Sequence, residues 1–249
     1  MTEKIVDTFT SEVARAEIAV LMPIHNEAET IEASVTEFYD VINLKMPLEI
    51  VLSEDGSTDN TEKVIEELSG KIPLKAVLST SRKGYAGGIK DGLRFVRADY
   101  VLITDSDGQH APQDFWKLWN LRTKYDVVSG WRIERADAFH RKIMSRLFQL
   151  GIKTTFNIPN LMDTTAPFKL MKTETASEIA GKCKYMSESF WNEFSVRTHF
   201  GGYTIGETPV THRYRADKSA TRVYKPSKIP RIVFDQLRAV QKLKLELNS

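Results

Sequence analysis

Asp105-Ser106-Asp107-Gly108-Gln109-His110 follows directly on the apolar run Tyr100-Val101-Leu102-Ile103, so two carboxylates two residues apart stand where a buried strand would surface. Oxygen ligands of this kind suit hard divalent cations such as Mg2+ or Mn2+, which take one or two carboxylates and complete their shell with substrate phosphates. Asp105, Asp107 and the amide oxygen of Gln109 are the expected metal ligands. A plain turn is the bland alternative, because Asp and Gly suit turn geometry. An EF-hand calcium loop fits poorly: it needs glycine at its sixth position and glutamate at its twelfth, where this chain has His110 and Trp116.

Such groups need a scaffold, and the first half of the chain alternates short apolar runs with longer amphipathic stretches. Ile18 to Met22 precedes Ala28 to Ile42, and Glu49 to Leu52 precedes Asn60 to Leu68. Leu74 to Leu78, Tyr100 to Ile103 and Asp126 to Ser129 repeat the strand pattern, with helical patterns at Tyr85 to Val96 and Pro112 to Leu121 between them. The alternation predicts an α/β fold with a mostly parallel sheet and helices on both faces. Ligands of such sheets bind outside the carboxyl ends of the strands. Three polar segments fall there: Pro23 to Glu27, Ser53 to Asp59, and Asp105 to Gln109, which should converge on one crevice. Ser57 or Thr58 also suits a cap for the helix that follows.

The second half is more basic in its local patterning. Phe139 to Phe156 reads as a helix with an apolar face of Ile143, Leu147 and Leu150, accompanied by Arg141, Lys142, Arg146 and Lys153, which could meet phosphates or lipid headgroups. An ordinary amphipathic helix with a solvated basic side fits the same pattern. Ala166 to Met171, Tyr203 to Ile205 and Thr208 to Tyr214 read as strands, with a helix from Ser187 to Thr198. Arg213 to Lys228 is rich in Lys and Arg without apolar periodicity and reads as a basic loop able to close over anions. Pro230 to Leu245 has helical apolar spacing.

A chain of 249 residues with 41% hydrophobic content can bury a real core, and we expect one domain over residues 1–249. The formal charge of +2 comes from 35 basic and 33 acidic residues, so no overall polyelectrolyte character argues for a nucleic-acid partner. Cys183, the single cysteine, cannot form an intramolecular disulfide, and Met1-Thr2-Glu3-Lys4 lacks the apolar core of a signal peptide. We therefore expect a cytoplasmic protein. No run of about 18 apolar residues occurs, so membrane contact is expected to be peripheral; a homo-oligomer is compatible with the sequence.

The ordered set Pro23-x-x-Asn26-Glu27, Glu54-Asp55-Gly56-Ser57-Thr58-Asp59 and Asp105-x-Asp107-Gly-Gln109-His110 resembles the family 2 glycosyltransferases with the GT-A fold. Gly130-Trp131-Arg132, Arg141-x-x-x-Ser145-Arg146, Asp163-Thr164 and the basic Arg215 to Ser219 segment extend the likeness toward the dolichyl or polyprenyl phosphate sugar synthases, the dolichol-phosphate mannosyltransferase group. The resemblance implies a Rossmann-like GT-A sheet, a nucleotide-sugar half over about 17–130 and an acceptor half over about 131–249. It implies a nucleotide-sugar donor, GDP-mannose or a UDP-sugar, with Pro23, His25, Glu27, Glu54, Asp55, Asp105 and Ser106 at the donor. The metal would be held by Asp105, Asp107 and Gln109. Arg132, Arg141, Ser145 and Arg215 would hold the phosphate of a polyprenyl or dolichyl acceptor. The chain differs from the group's usual pattern at His25, Glu54, Gly108, the Thr165 to Lys169 string and Asp217-Lys218.

Acceptor chemistry separates two readings. A phosphate monoester is already ionised at neutral pH, its second pKa being about 6, so it needs cations rather than a base, and arginines suit that role by bidentate pairing. A sugar hydroxyl would need a general base within hydrogen-bond reach, and Glu188 in Ser187-Glu188-Ser189 is the nearest counterpart of the family's base. A nucleotidyltransferase is a further alternative, but Gly84-Tyr85-Ala86-Gly87-Gly88 follows the third strand rather than the first. A non-catalytic binding protein would not need Asp105, Asp107 and Gln109 intact.

Overall fold

The computed structural model describes residues 3–9, 16–133, 139–158, 161–214 and 229–248, and of residues 139–143, 229 and 230 the backbone alone. One eight-stranded sheet runs through the molecule in the order β1-β4-β3-β2-β5-β7-β6-β8. The strands are β1 (Lys4–Asp7), β2 (Ile18–Ile24), β3 (Leu48–Glu54), β4 (Lys75–Leu78), β5 (Tyr100–Ile103), β6 (Val127–Arg132), β7 (Lys169–Lys172) and β8 (Ile205–Val210). The helices are α1 (Ile31–Asn43), α2 (Thr61–Ser69), α3 (Tyr85–Leu93), α4 (Phe115–Trp119), α5 (Phe139–Phe156), α6 (Thr173–Lys182), α7 (Phe190–Phe200) and α8 (Ile229–Leu247).

β2 shows why the sheet has helices on both faces. All seven of its residues are buried, and alternate side chains enter different cores, as the period of two requires. Ile18, Val20, Met22 and Ile24 join Val35 and Phe38 of α1, Ile65 of α2 and Phe115 of α4. Ala19 and Leu21 join Ile89 of α3, Ile179 of α6 and Phe194 of α7. Gly92 in α3 is required by this packing: a Cβ there would stand 2.3 Å from Leu21 Cδ1.

The sheet is mixed. β2 pairs in parallel with β3 and β5, β3 with β4, and β6 with β8, whereas every antiparallel pairing involves β1 or β7. Parallel pairing therefore holds through the centre, where β3, β2 and β5 lie side by side and end together. Three expectations need correction. Tyr203 to Ile205 and Thr208 to Tyr214 are not two strands but parts of one, β8, and the strand expected from Ala166 begins at Lys169. Of the apolar face expected for α5, Leu147 and Leu150 are exposed, as is Met144, and the Ile143 side chain lies outside the described residues, while Gln149, Ile152 and Phe156 face inward. The inner side chains pack with Ala239 and Leu243 of α8 into a third core. α8 likewise leaves Val233, Phe234 and Leu237 exposed.

Candidate active site

The ends of β2, β3 and β5 carry the three polar segments, and hydrogen bonds tie them together. The Asp55 amide donates to the Ile24 carbonyl at 2.9 Å, and Ser106 Oγ donates to the Pro23 carbonyl at 3.3 Å. His25 Nδ1 donates to the Asp55 carbonyl at 3.0 Å. Asn26 adopts φ +57°, and its side-chain oxygen accepts from the Thr58 amide at 2.7 Å while its own amide donates to Ser57 Oγ at 2.9 Å. Glu54 accepts from the Ser57 amide. Asp55 turns its carboxylate onto the loop before α3, accepting from the amides of Lys83 at 2.5 Å and Gly84 at 2.8 Å. That approach explains Gly56, whose φ is +63° and where a Cβ would lie 2.8 Å from the Arg82 amide nitrogen. Neither Ser57 nor Thr58 caps α2: the N-cap is Asn60, with no side-chain cap bond, and Asp59 just before it accepts from the Thr61 amide at 3.0 Å.

Asp105 and Asp107 lie half-buried just beyond β5. Asp105 Oδ1 accepts from the Tyr85 hydroxyl at 2.7 Å, and Asp107 Oδ1 accepts from the Gln109 amide at 3.1 Å. Burial first, then the charge of Asp107, push the Asp105 carboxyl up to about 7, with Glu27 adding to the rise and Arg132 opposing it. These influences put Glu27 and Arg132 within electrostatic reach of Asp105. The Tyr85 hydroxyl is held well above its ordinary range by burial and by Asp105, so it remains a donor.

Two neighbouring carboxylates that raise each other's cost of ionisation are a fitting donor set for a divalent cation, which removes the repulsion. Among the described residues no group of three or more His, Cys, Asp or Glu side chains could hold a metal ion by itself. The Gln109 side-chain amide donates to the Arg213 carbonyl at 3.1 Å, and the Arg213 amide donates to the Gln109 carbonyl at 2.7 Å. An antiparallel bridge between His110 and His212 continues this pairing. His110 is buried, stacked on Phe168 with ring centroids 5.0 Å apart, and burial depresses its pKa to about 3, keeping it neutral.

The acceptor candidates are drawn together in part. Arg132 donates from Nε to Asp163 Oδ2 at 2.8 Å and from a terminal nitrogen to Thr165 Oγ1 at 2.8 Å. Ser145 accepts from the Gln149 side chain at 3.1 Å, and Gln149 accepts from the Thr164 amide at 3.3 Å. Arg132 thus holds Asp163 and Thr165 directly, and Ser145 reaches Thr164 between them only through Gln149. The Arg141 side chain and Arg215 lie outside the described residues. Glu188 is exposed on the 3-10 turn Ser187–Ser189 ahead of α7. Lys169, read at first only as a departure from a motif, is buried, donates to Ser129 Oγ at 2.6 Å, and has its pKa lowered to about 8 by desolvation.

The fold is GT-A. It resembles glucosyl-3-phosphoglycerate synthase from Mycobacterium tuberculosis, solved with Mg2+ and UDP, at a TM-score of 0.66 and 16% identity over 92% of this chain and 82% of that one. The mannosyltransferase PcManGT from Pyrobaculum calidifontis, solved with GDP-Man and Mn2+, gives a TM-score of 0.60 at 17% identity, covering 94% and 74%. Residues 19–192 match the sequence profile of glycosyl transferase family 2, and the chain belongs to that family. A dolichol-phosphate mannosyltransferase from Pyrococcus furiosus is 25% identical over 169 residues, 65% of this chain and 48% of that protein. An undecaprenyl-phosphate 4-deoxy-4-formamido-L-arabinose transferase from Serratia proteamaculans is 31% identical over 141 residues, 55% and 43%. The chain thus spans a little under half the length of these curated relatives.

Proposed function

We propose that this chain transfers a sugar from a nucleotide diphosphosugar to the phosphate of a polyprenyl or dolichyl lipid, with Mg2+ or Mn2+ bound by Asp105 and Asp107. The observation that carries the reading is the pair of half-buried carboxylates at the end of β5, beside the His25–Glu27 and Glu54–Asp59 loops. The cation would act as Lewis acid for the departing nucleoside diphosphate. The protein's own part is to hold the donor between Pro23, His25, Glu27 and Asp55, and to bring a positive charge, Arg132, close to the reacting groups. Gln109, fixed to Arg213 through its Nε2, retains a carbonyl oxygen for the metal or its water. Relatives named for dolichol-phosphate and undecaprenyl-phosphate transfer support a lipid phosphate acceptor. An anionic acceptor needs no base, and its repulsion from the donor is met by Arg132, Arg141 and Arg215.

The exposed apolar residues of α5 and α8 suit peripheral contact with the membrane that carries such a lipid. No described helix is long and apolar enough to cross a membrane. Incubation with Mn2+ and a panel of nucleotide sugars tests the reading: nucleoside diphosphate release should depend on added polyprenyl phosphate. Release driven by a free sugar instead would move the assignment to a hydroxyl acceptor, with Glu188 as base. Flotation with anionic vesicles containing polyprenyl phosphate should carry the protein upward, and L147E combined with L237E should abolish it.

A further inference from the structure

Tyr85 opens α3 and Trp191 lies in the first turn of α7, on the sheet face opposite α1 and α2. Trp191 Nε1 donates to the Tyr85 hydroxyl oxygen at 2.9 Å, and that hydroxyl donates to Asp105 Oδ1 at 2.7 Å. In the ionised form that ligates a metal, the direction of this chain is fixed by chemistry. An indole can only donate and an ionised carboxylate can only accept, so the single hydroxyl proton then lies toward Asp105. Aromatic packing holds the geometry: the Tyr85 ring meets Phe190 and Trp191 edge-on, each at 6.4 Å, and Phe190 meets Trp191 at 5.0 Å.

We propose that Tyr85 and Trp191 are positioning residues for the metal, a relay that commits one oxygen of Asp105 to the protein and leaves the other to the cation. The proposal rests on the metal-binding reading of Asp105 and Asp107. Trp191 lies in the half of the sequence expected to serve the acceptor, so the relay ties Asp105 to α7, packed beside α3 in the same core. A hydrogen-bond partner behind a metal ligand fixes its orientation and basicity, and loss of such a partner costs about 10- to 100-fold in metal affinity.

Mn2+ binding to the full chain, followed by electron paramagnetic resonance with and without GDP, tests this without turnover. Y85F, which deletes only the hydroxyl, should weaken Mn2+ binding about 10-fold or more. W191F, which keeps an aromatic ring and removes the donor, should weaken it less. The double variant should bind no more weakly than Y85F, because Trp191 acts only through the hydroxyl; independent contributions would add. F190L loosens the same aromatic cluster without touching the hydrogen bonds, and should lower the melting temperature while leaving Mn2+ affinity in place. Unchanged affinity in Y85F, additive losses, or an equal loss in F190L would overturn the relay while the metal site stands. If the wild-type chain takes up no Mn2+ in either condition, or D107N binds it as well as wild type, the metal reading itself falls and the relay falls with it.

Discussion

Two regions of the molecule are held by different means. At the ends of β2 and β3, polar side chains are committed to backbone amides: Asp55 to Lys83 and Gly84, Glu54 to Ser57, Asn26 to Thr58. In the second half of the chain buried carboxylates also accept from backbone amides, Glu193 from Lys184, Tyr185 and Met186 and Asp163 from Thr165, but each is paired with an arginine as well, Glu193 with Arg197 and Asp163 with Arg132. Loops pinned by their own backbone leave Asp105 and Asp107 as neighbouring carboxylates, the charge of Asp107 raising the pKa of Asp105. Arginines locked in buried ion pairs are positioned as much by folding as by any ligand. Substitutions in the first region should therefore be read mainly in ligand binding, and in the second mainly in stability.

The most severe test of that contrast is D105N or D107N. Either should reduce nucleoside diphosphate release by on the order of 10²-fold or more, as loss of other electrostatic stabilisers does, with little change in melting temperature. Next comes Arg132, whose side chain and that of Asp163 are only 9% and 7% exposed. R132A should destabilise the fold by about 3–5 kcal/mol, because it removes the guanidinium from a buried carboxylate and leaves Asp163 to the Thr165 amide and hydroxyl. Adding D163N should restore part of that stability in denaturant titration. If R132A melts like wild type yet loses turnover, the two regions differ less than their hydrogen bonds imply.

A smaller effect is expected from pH. Asp105 titrates near 7 in the fold against an ordinary 3.8. Between those values the native state keeps a proton that the unfolded chain has released, so stability falls as pH rises through this window. Metal-free protein should melt lower at about pH 8 than at about pH 6, and Mn2+ with GDP should raise the melting point more at the higher pH, where the ionised carboxylate is available. A metal-free melting temperature that climbs over this range would contradict the burial of Asp105. The least change is expected for E188Q, within about twofold of wild type if the acceptor is a phosphate; a drop of about 10²-fold would point to base catalysis on a hydroxyl.

The convergence of the loops after β2, β3 and β5 was largely legible in the sequence because three local signals, apolar strand, polar tip and amphipathic helix, recur in order. β1 and α6 were missed for opposite reasons. Lys4–Asp7 is a short edge strand with exposed residues and no apolar run to mark it. Thr173–Lys182 places only Thr175, Ala176, Ile179 and Ala180 inward, a stripe too small to stand out from its polar neighbours. In α5 the sequence shows which residues are apolar but not which of them face the protein. Gln149 turns inward because Ser145 and Thr164 satisfy its amide, and Leu147 and Leu150 are left outside. Tyr85 and Trp191 carried no local signal, since their partners lie 20 and 106 positions apart in the chain. Only the sheet brings them together.

The paired hydrogen bonds between Gln109 and Arg213 have an implication for how this scaffold could be re-targeted. They fasten the downstream chain to the cation loop through main-chain atoms of Arg213, whatever side chain stands there. Swapping residues 215–228 for a segment of other composition would thus leave the anchor stitched in place. Such exchanges, in a laboratory or over generations, would leave the loop after β5 untouched.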